Sequence, residues 1–168
     1  MALKVVVMGV TATGKSLIGE RLAEALRGRF TDGDHFHPRA NVEKMTRGEP
    51  LDDGDRAPWL DRVGASLAEG EGTVVIACSA LKRAYRDRIR RRAPDAIFMH
   101  LTGPRDVIAD RMRRRRGHFM PVSLLDSQLA ALEPPGPGEA AFDADITATP
   151  VQIVARALVR LRAMAGPV

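Results

Sequence analysis

Cysteine is almost absent. A single residue, Cys78, excludes an intramolecular disulfide and any cysteine-rich zinc site. Aromatic residues amount to only 4%, and the arginine runs lack the interleaved aromatics of a single-strand nucleic-acid platform. No apolar run approaches the roughly 20 residues that a membrane-spanning helix needs. Met1-Ala2-Leu3-Lys4 passes directly into an apolar strand-like run without a small-residue cleavage site. No signal peptide is therefore expected, and the expected location is cytoplasmic, with no membrane partner. No internal repeat is visible, and the one proline-glycine cluster, Glu133 to Gly138, is too short to be a domain linker. Lysine is scarce as well. Four lysines (Lys4, Lys15, Lys44 and Lys82) stand against 22 arginines, so each lysine merits separate attention.

What is present is an ordinary globular balance, 45% apolar and 28% charged, over 168 residues. A chain of that length is expected to form one domain and to bury roughly 70% of its unfolded surface without staples. Leu3 to Met8 and Thr73 to Cys78 read as buried strands, short and rich in valine. Ala96 to Leu101 reads as a third, with shorter ones near Phe30 and over Ala144 to Thr147. Helical spacing occupies Leu17 to Leu26, Pro38 towards Arg47, a stretch capped by Asp55 and closed by Gly70, Arg83 to Arg92, Pro104 to Arg114, Val122 to Leu132 and Pro150 to Met164. Strands alternating with helices predict an α/β fold, a parallel sheet of five strands with helices on both faces. Ligands on such a sheet bind beyond the carboxyl ends of the strands.

Charge is uneven. Lys82 to Arg116 holds 13 basic and 4 acidic residues, a block of +9 in a chain of net charge +5. Such a block is either a pair of solvated helix faces or a surface for polyanions.

Gly9-Val10-Thr11-Ala12-Thr13-Gly14-Lys15-Ser16 matches the phosphate loop G-x-x-x-x-G-K-[ST] and lies between a strand and a helix, as its mechanism demands. The glycines let successive N–H groups converge on a phosphate. Lys15 neutralises the β- and γ-oxygens, and Ser16 supplies a hydroxyl to Mg²⁺. The next helix, from Leu17, aims its positive end at the same anion. ATP and Mg²⁺ are the expected cofactors. The apolar strand ending Ala77-Cys78-Ser79 carries no carboxylate, and no N-K-x-D guanine-reading sequence occurs, which disfavours a GTPase or a motor. The carboxylate for the metal is then sought in Asp32-Gly33-Asp34, with Asp34 preferred and Asp32 behind it. Asp34 is also the candidate to orient an acceptor hydroxyl and take its proton. His35 and His37, with no cysteine nearby in sequence, make a poor transition-metal set, and hydrogen bonding to a polyhydroxy substrate suits His37 better.

These blocks resemble the gluconate kinases, a family built on the nucleoside-monophosphate-kinase-like P-loop fold. The resemblance runs through Asp32 to Met45 (D-G-D-x-x-H-P-x-x-N-x-E-K-M), Gly48 to Leu60 (G-x-P-L-x-D-x-D-R-x-P-W-L), Cys78 to Asp87 (C-S-A-L-K-x-x-Y-R-D) and Arg111 to Phe119 (R-x-x-x-R-x-G-H-F). It covers nearly the first three quarters of the chain and is loose over the last fifty residues. It implies a three-layer P-loop kinase fold with a small helical lid near residues 116–132. The implied reaction is ATP-dependent phosphorylation of D-gluconate at its 6-hydroxyl to 6-phosphogluconate and ADP, feeding the pentose phosphate or Entner-Doudoroff route. A homodimer is implied too. Ala12 departs from the glycine of many members, at a position taken as variable.

Gluconate is a polyol with a carboxylate, so its site needs a cation and several hydrogen-bonding side chains. Arg86 is the first choice for the carboxylate, through its bidentate fork, with Arg39, Lys44 and Lys82 as further cations. His37, Asn41, Ser79, Tyr85 and His118 supply hydrogen bonds. Arg111 and Arg115, four apart, precede Gly117-His118-Phe119, where the helix should break. They are expected to stabilise charge on the transferred phosphoryl group as a lid closes. Adenine is expected between Arg111 and the Thr147–Pro150 loop. Trp59 is read as core, and Cys78 as inert packing. The competing readings are a shikimate or nucleotide kinase of the same fold and a nucleotide-regulated nucleic-acid binder. The first lacks its Gly-Gly-Gly turn at Cys78-Ser79-Ala80, and the second is supported by the charge block alone.

Overall fold

The computed structural model of the chain describes residues 2–115 and 121–167. Five parallel strands form one sheet: β1 (Lys4–Met8), β2 (Arg29–Asp32), β3 (Val74–Ala77), β4 (Ile97–Thr102) and β5 (Ala141–Asp145). Their order across the sheet is β2-β3-β1-β4-β5. The helices are α1 (Lys15–Ala25), α2 (Arg39–Thr46), α3 (Asp53–Glu69), α4 (Arg83–Arg92), α5 (Arg105–Arg114), α6 (Val122–Ala131) and α7 (Pro150–Ala165), with a 3-10 turn at Gly33–Phe36.

The period of two along the strands sorts their side chains into two cores. Val5 and Val7 of β1 join Val75, Met99 and Leu101 in a cluster closed by α1, α5, α6 and α7. Val6 and Met8 point the other way, to Ile76 and Phe98, in a cluster closed by Trp59, Leu60 and Val63 of α3 and Ile89 of α4. Every residue of β1 is buried, which is why it reads as a continuous apolar run rather than an alternation. The helix after β1 (α1) and the helix after β3 (α4) lie on opposite faces, so the adjacent ends of β1 and β3 form the switch point at which such sheets bind ligands.

Two expectations are corrected. The cap of α3 is Asp52, not Asp55. The two make a reciprocal capping box, Asp55 N–H donating to Asp52 at 2.7 Å and Asp52 N–H to Asp55 at 2.9 Å, so the helix begins at Asp53. β5 begins three residues before the expected Ala144. Its Phe142 enters the core while Asp143 and Asp145 face out, and edge aspartates disguise a strand as a loop.

Candidate active site

The loop after β1 curls by leaving ordinary backbone space. Gly9 has φ +151°, and a Cβ there would meet the Leu101 carbonyl oxygen at 2.8 Å. Ala12 has φ +61°, in the left-handed region, which alanine holds at a strain of roughly 1–2 kcal/mol. Thr13 is buried and ties its hydroxyl to the Val10 carbonyl at 2.8 Å, bracing the loop from within.

The loop opens onto a cleft of about 540 Å³ at the switch point. Its walls bring together Lys15 and Ser16 of α1, Asp32 at the end of β2 and Asp34 just past it, Ser79 after β3, and Arg115 after α5. Lys15 Nζ donates to the Val10 carbonyl at 3.0 Å. Burial pulls its ammonium below the ordinary value, while Asp34 and Asp32 pull it up and Arg115 pushes it down. Two cations and two carboxylates thus share the cleft. Leu17 and Ala12 also line it. Cys78 lies on its floor, where burial pushes the thiol up to about 12, so it stays protonated and unreactive.

The carboxylate hydrogen-bonded to Ser16 is that of Asp32 rather than Asp34, its Oδ2 accepting from Ser16 Oγ at 3.1 Å. Oδ1 of Asp32 accepts the Asp34 N–H at 3.0 Å, closing the turn. Asp34 is thereby left with its side chain 82% exposed, facing the cleft. Gly33 makes this turn possible, because a Cβ there would collide with the Ala77 carbonyl of β3. One hydroxyl and one carboxylate at the phosphate loop suit Mg²⁺, which keeps most of its waters and takes few protein ligands.

Arg86 is the largest correction. It is wholly buried, and each guanidinium nitrogen is committed. Nε and Nη2 fork onto Glu139 at 2.8 and 3.0 Å, Nη1 donates to the Ala80 and Leu81 carbonyls, and Nη2 also reaches the Glu133 carbonyl. It holds the loop after β3 to the chain before β5 and has no donor for a substrate. Burial pushes the Glu139 carboxyl up, but hydrogen bonds from Arg86, the Gly136 N–H and Arg90 outweigh it and bring it to about 2. Asn41 is likewise buried, its amide nitrogen spent on the Asp55 carbonyl and His37. Arg39 lies outside, paired with Glu43 on the exposed face of α2.

Lys44 is 2.7 Å from Asp55, which raises its pKa by hydrogen bonding. Lys82, at the cap of α4, stands 3.6 Å from Asp53 and over the Tyr85 ring. Tyr85 donates its hydroxyl to Asp53, and Arg56 also lies over that ring. This cluster of Asp53, Arg56, Lys82 and Tyr85 joins α3 to α4, and its grouping was invisible in sequence. Arg56 stands in the D-R-x-P-W-L block but was not singled out, and its spacing from Tyr85 follows no helical period.

Arg111 Nη2 donates to the Ile146 carbonyl at 2.7 Å, which sets Arg111 beside the Thr147–Pro150 loop. There Thr149 and Gln152 form the capping box of α7, with Pro150 in its first turn. Arg115 lines the phosphate cleft instead. Gln128 is a residue that sequence reasoning missed. Its side-chain oxygen accepts the Thr11 N–H of the phosphate loop at 2.7 Å, across 117 positions, and no local pattern announces it. His118 and the rest of residues 116–120 lie outside the described residues.

The shikimate kinase family model matches residues 11–130. The gluconokinase of Gluconobacter oxydans (strain 621H) is 50% identical over 138 residues, 80% of this chain and 77% of that protein. The chain belongs to the gluconokinase family. The thermosensitive gluconokinase of Escherichia coli (strain K12) is 48% identical over 133 residues, 77% of this chain and 71% of its own length. The crystal structure of a gluconokinase from Sinorhizobium meliloti 1021 superposes with a TM-score of 0.87 at 46% identity, covering 95% of this chain and 91% of that one. The shikimate kinase match records the P-loop kinase frame that this gluconokinase-family chain shares.

Proposed function

We propose that this chain is an ATP-dependent gluconokinase that phosphorylates D-gluconate at its 6-hydroxyl, giving 6-phosphogluconate and ADP. One observation carries the reading: an exposed carboxylate, Asp34, faces a phosphate loop, a lysine and an arginine in one cleft, in a chain about half identical to gluconokinases. The loop amides, Lys15 and the amino end of α1 hold the triphosphate. Ser16 and Asp32 hold Mg²⁺, which supplies charge neutralisation at the phosphates when bound. Asp34 orients the 6-hydroxyl and takes its proton. The hydroxyl oxygen bonds to the γ-phosphorus, and the bond from that phosphorus to its bridging oxygen breaks, leaving the electron pair on ADP. Arg115 stabilises charge on the transferred group from the opposite wall. Arg111 and the Thr147–Pro150 loop border the adenine.

With Arg86 committed elsewhere, the gluconate carboxylate falls to the cations between α3 and α4, Lys82 and Arg56, with Tyr85 and Ser79 as hydroxyl partners. α6 acts as the lid, and its Gln128 gives up the Thr11 amide when phosphate arrives. A homodimer is the assembly that the family resemblance supports.

The nucleic-acid reading loses its main support. Much of the basic block is spent on carboxylates, in the pairs Arg86–Glu139, Arg88–Asp61, Arg90–Asp87, Arg105–Asp126 and Arg114–Asp110. A coupled assay of ADP release against gluconate, shikimate and nucleoside monophosphates tests the assignment. Turnover is expected with gluconate. Turnover with shikimate or a nucleotide instead would overturn it.

A further inference from the structure

The sequence places His37 among the groups that touch substrate. In the structure its ring is enclosed by protein groups. Its side chain is only 6% exposed, and its ring stacks on Trp59 with centroids 4.2 Å apart and planes 17° from parallel. Trp59 Nε1 in turn donates to the Gly33 carbonyl at 2.8 Å, so the stack is pinned to the turn that carries Asp34.

The protons on this ring follow from its neighbours. Asn41 Nδ2 lies 2.8 Å from the Asp55 carbonyl, a group that can only accept. That contact decides which end of the Asn41 amide is NH₂. The same NH₂ lies 3.2 Å from His37 Nδ1 and has only a proton to offer, so Nδ1 must be the bare nitrogen. The ring proton of the neutral imidazole then sits on Nε2, and Nε2 is 4.0 Å from Asp34 Oδ1. A small rotation of the exposed Asp34 side chain closes that gap to a hydrogen bond.

We propose that His37 is a positioning residue for Asp34, its Nε2–H engaging one carboxylate oxygen so that the other is presented to the acceptor hydroxyl, with Asn41 fixing the tautomer and Trp59 the ring plane. The inference rests on the reading of Asp34 as the group that faces that hydroxyl. A carboxylate on an exposed turn has two equivalent oxygens and free rotation. Fixing one oxygen removes that freedom before substrate arrives, which is how a third group orients a catalytic base. The arrangement also accounts for a buried asparagine at the junction of α2 and α3, where an apolar residue would pack more cheaply.

Three variants and one spectrum test this. His37→Phe keeps a ring on Trp59 and loses the donor. It should lower kcat about tenfold or more, as loss of an orienting group does, with the KM for ATP and Tm little changed. His37→Gln places an amide N–H near the position of Nε2 and should recover most of that loss. Asp34→Asn should abolish most turnover. In ¹⁵N spectra of the wild-type protein, the His37 ring should show a bare Nδ1 and a protonated Nε2. The inference is overturned if His37→Phe folds and turns over normally, if Phe and Gln are equally impaired, or if Nδ1 carries the proton. Should His37→Phe melt below the assay temperature, the spectrum decides by itself. Full turnover by Asp34→Asn would refute the reading of Asp34. Its loss alongside an active His37→Phe would refute the positioning role alone.

Discussion

The arginines of α4 and those of α5 are alike in sequence and opposite in use. Both helices end in arginine runs, and both sit in the same cationic block. On α4, Arg86 is wholly buried and Arg90 mostly so. Their charge is spent on Glu139 and on loop carbonyls, and Arg88 is spent on Asp61. On α5, Arg111 reaches the loop before α7 and Arg115, just past the helix end, lines the phosphate cleft. α4 follows β3 and packs against α3 on one face of the sheet, whereas α5 runs out from β4 to the mouth of the cleft. An arginine's role was thus decided by what its helix packs against.

That contrast can be broken by experiment, and the largest effect belongs to α4. Arg86→Met should destabilise the fold by about 3–5 kcal/mol, because Glu139 stays buried with its main partner gone. Denaturant midpoints measure this. A selective rise in the KM for gluconate at unchanged stability would return Arg86 to the substrate site. Arg115→Ala should show the reverse pattern. A fall in kcat of about 10²–10³-fold is expected for removing one charge-stabilising donor, with the denaturant midpoint unmoved. Equal loss of stability would make Arg115 another structural arginine.

Acid titration sharpens the same point. The Glu139 carboxyl is held at about 2, below its ordinary 4.5. A group depressed on folding contributes its full stabilisation above its unfolded value and loses it as pH falls through the folded one. The part of stability that depends on Arg86 should therefore fade between about pH 4.5 and about pH 2, seen as a falling Tm. Glu139→Gln should remove that acid slope. Smaller still is Ala12→Gly in the phosphate loop. Relief of left-handed strain is offset by about 0.5–1 kcal/mol of added unfolded-state entropy, so Tm should rise by no more than a few degrees. Arg114, whose pairing with Asp110 is solvent-exposed, should tolerate alanine without measurable change.

The fold was legible because its signals are local. A valine run, a glycine-bounded loop ending in Lys15-Ser16 and a following helix lie within 26 residues, and each imposes its own backbone. The site was half legible. Lys15, Ser16, Asp32, Asp34, Ser79 and Arg115 do line one cleft, since all sit at carboxyl ends of strands or just beyond a helix that follows one. That Asp32 rather than Asp34 folds back to the Ser16 hydroxyl was not legible, because it depends on how the turn at Gly33 directs the two carboxylates.

From its residues alone, then, this protein had its α/β architecture, its phosphate loop and its kinship. Periodicity, loop chemistry and long shared motifs all act at short range along the chain. Tertiary structure decided the partners: Glu139 for Arg86 across 53 positions, Gln128 for Thr11 across 117, and Asn41 and Trp59 around His37. A buried polar group must be satisfied by whatever the fold brings to it, and no local pattern encodes what that will be.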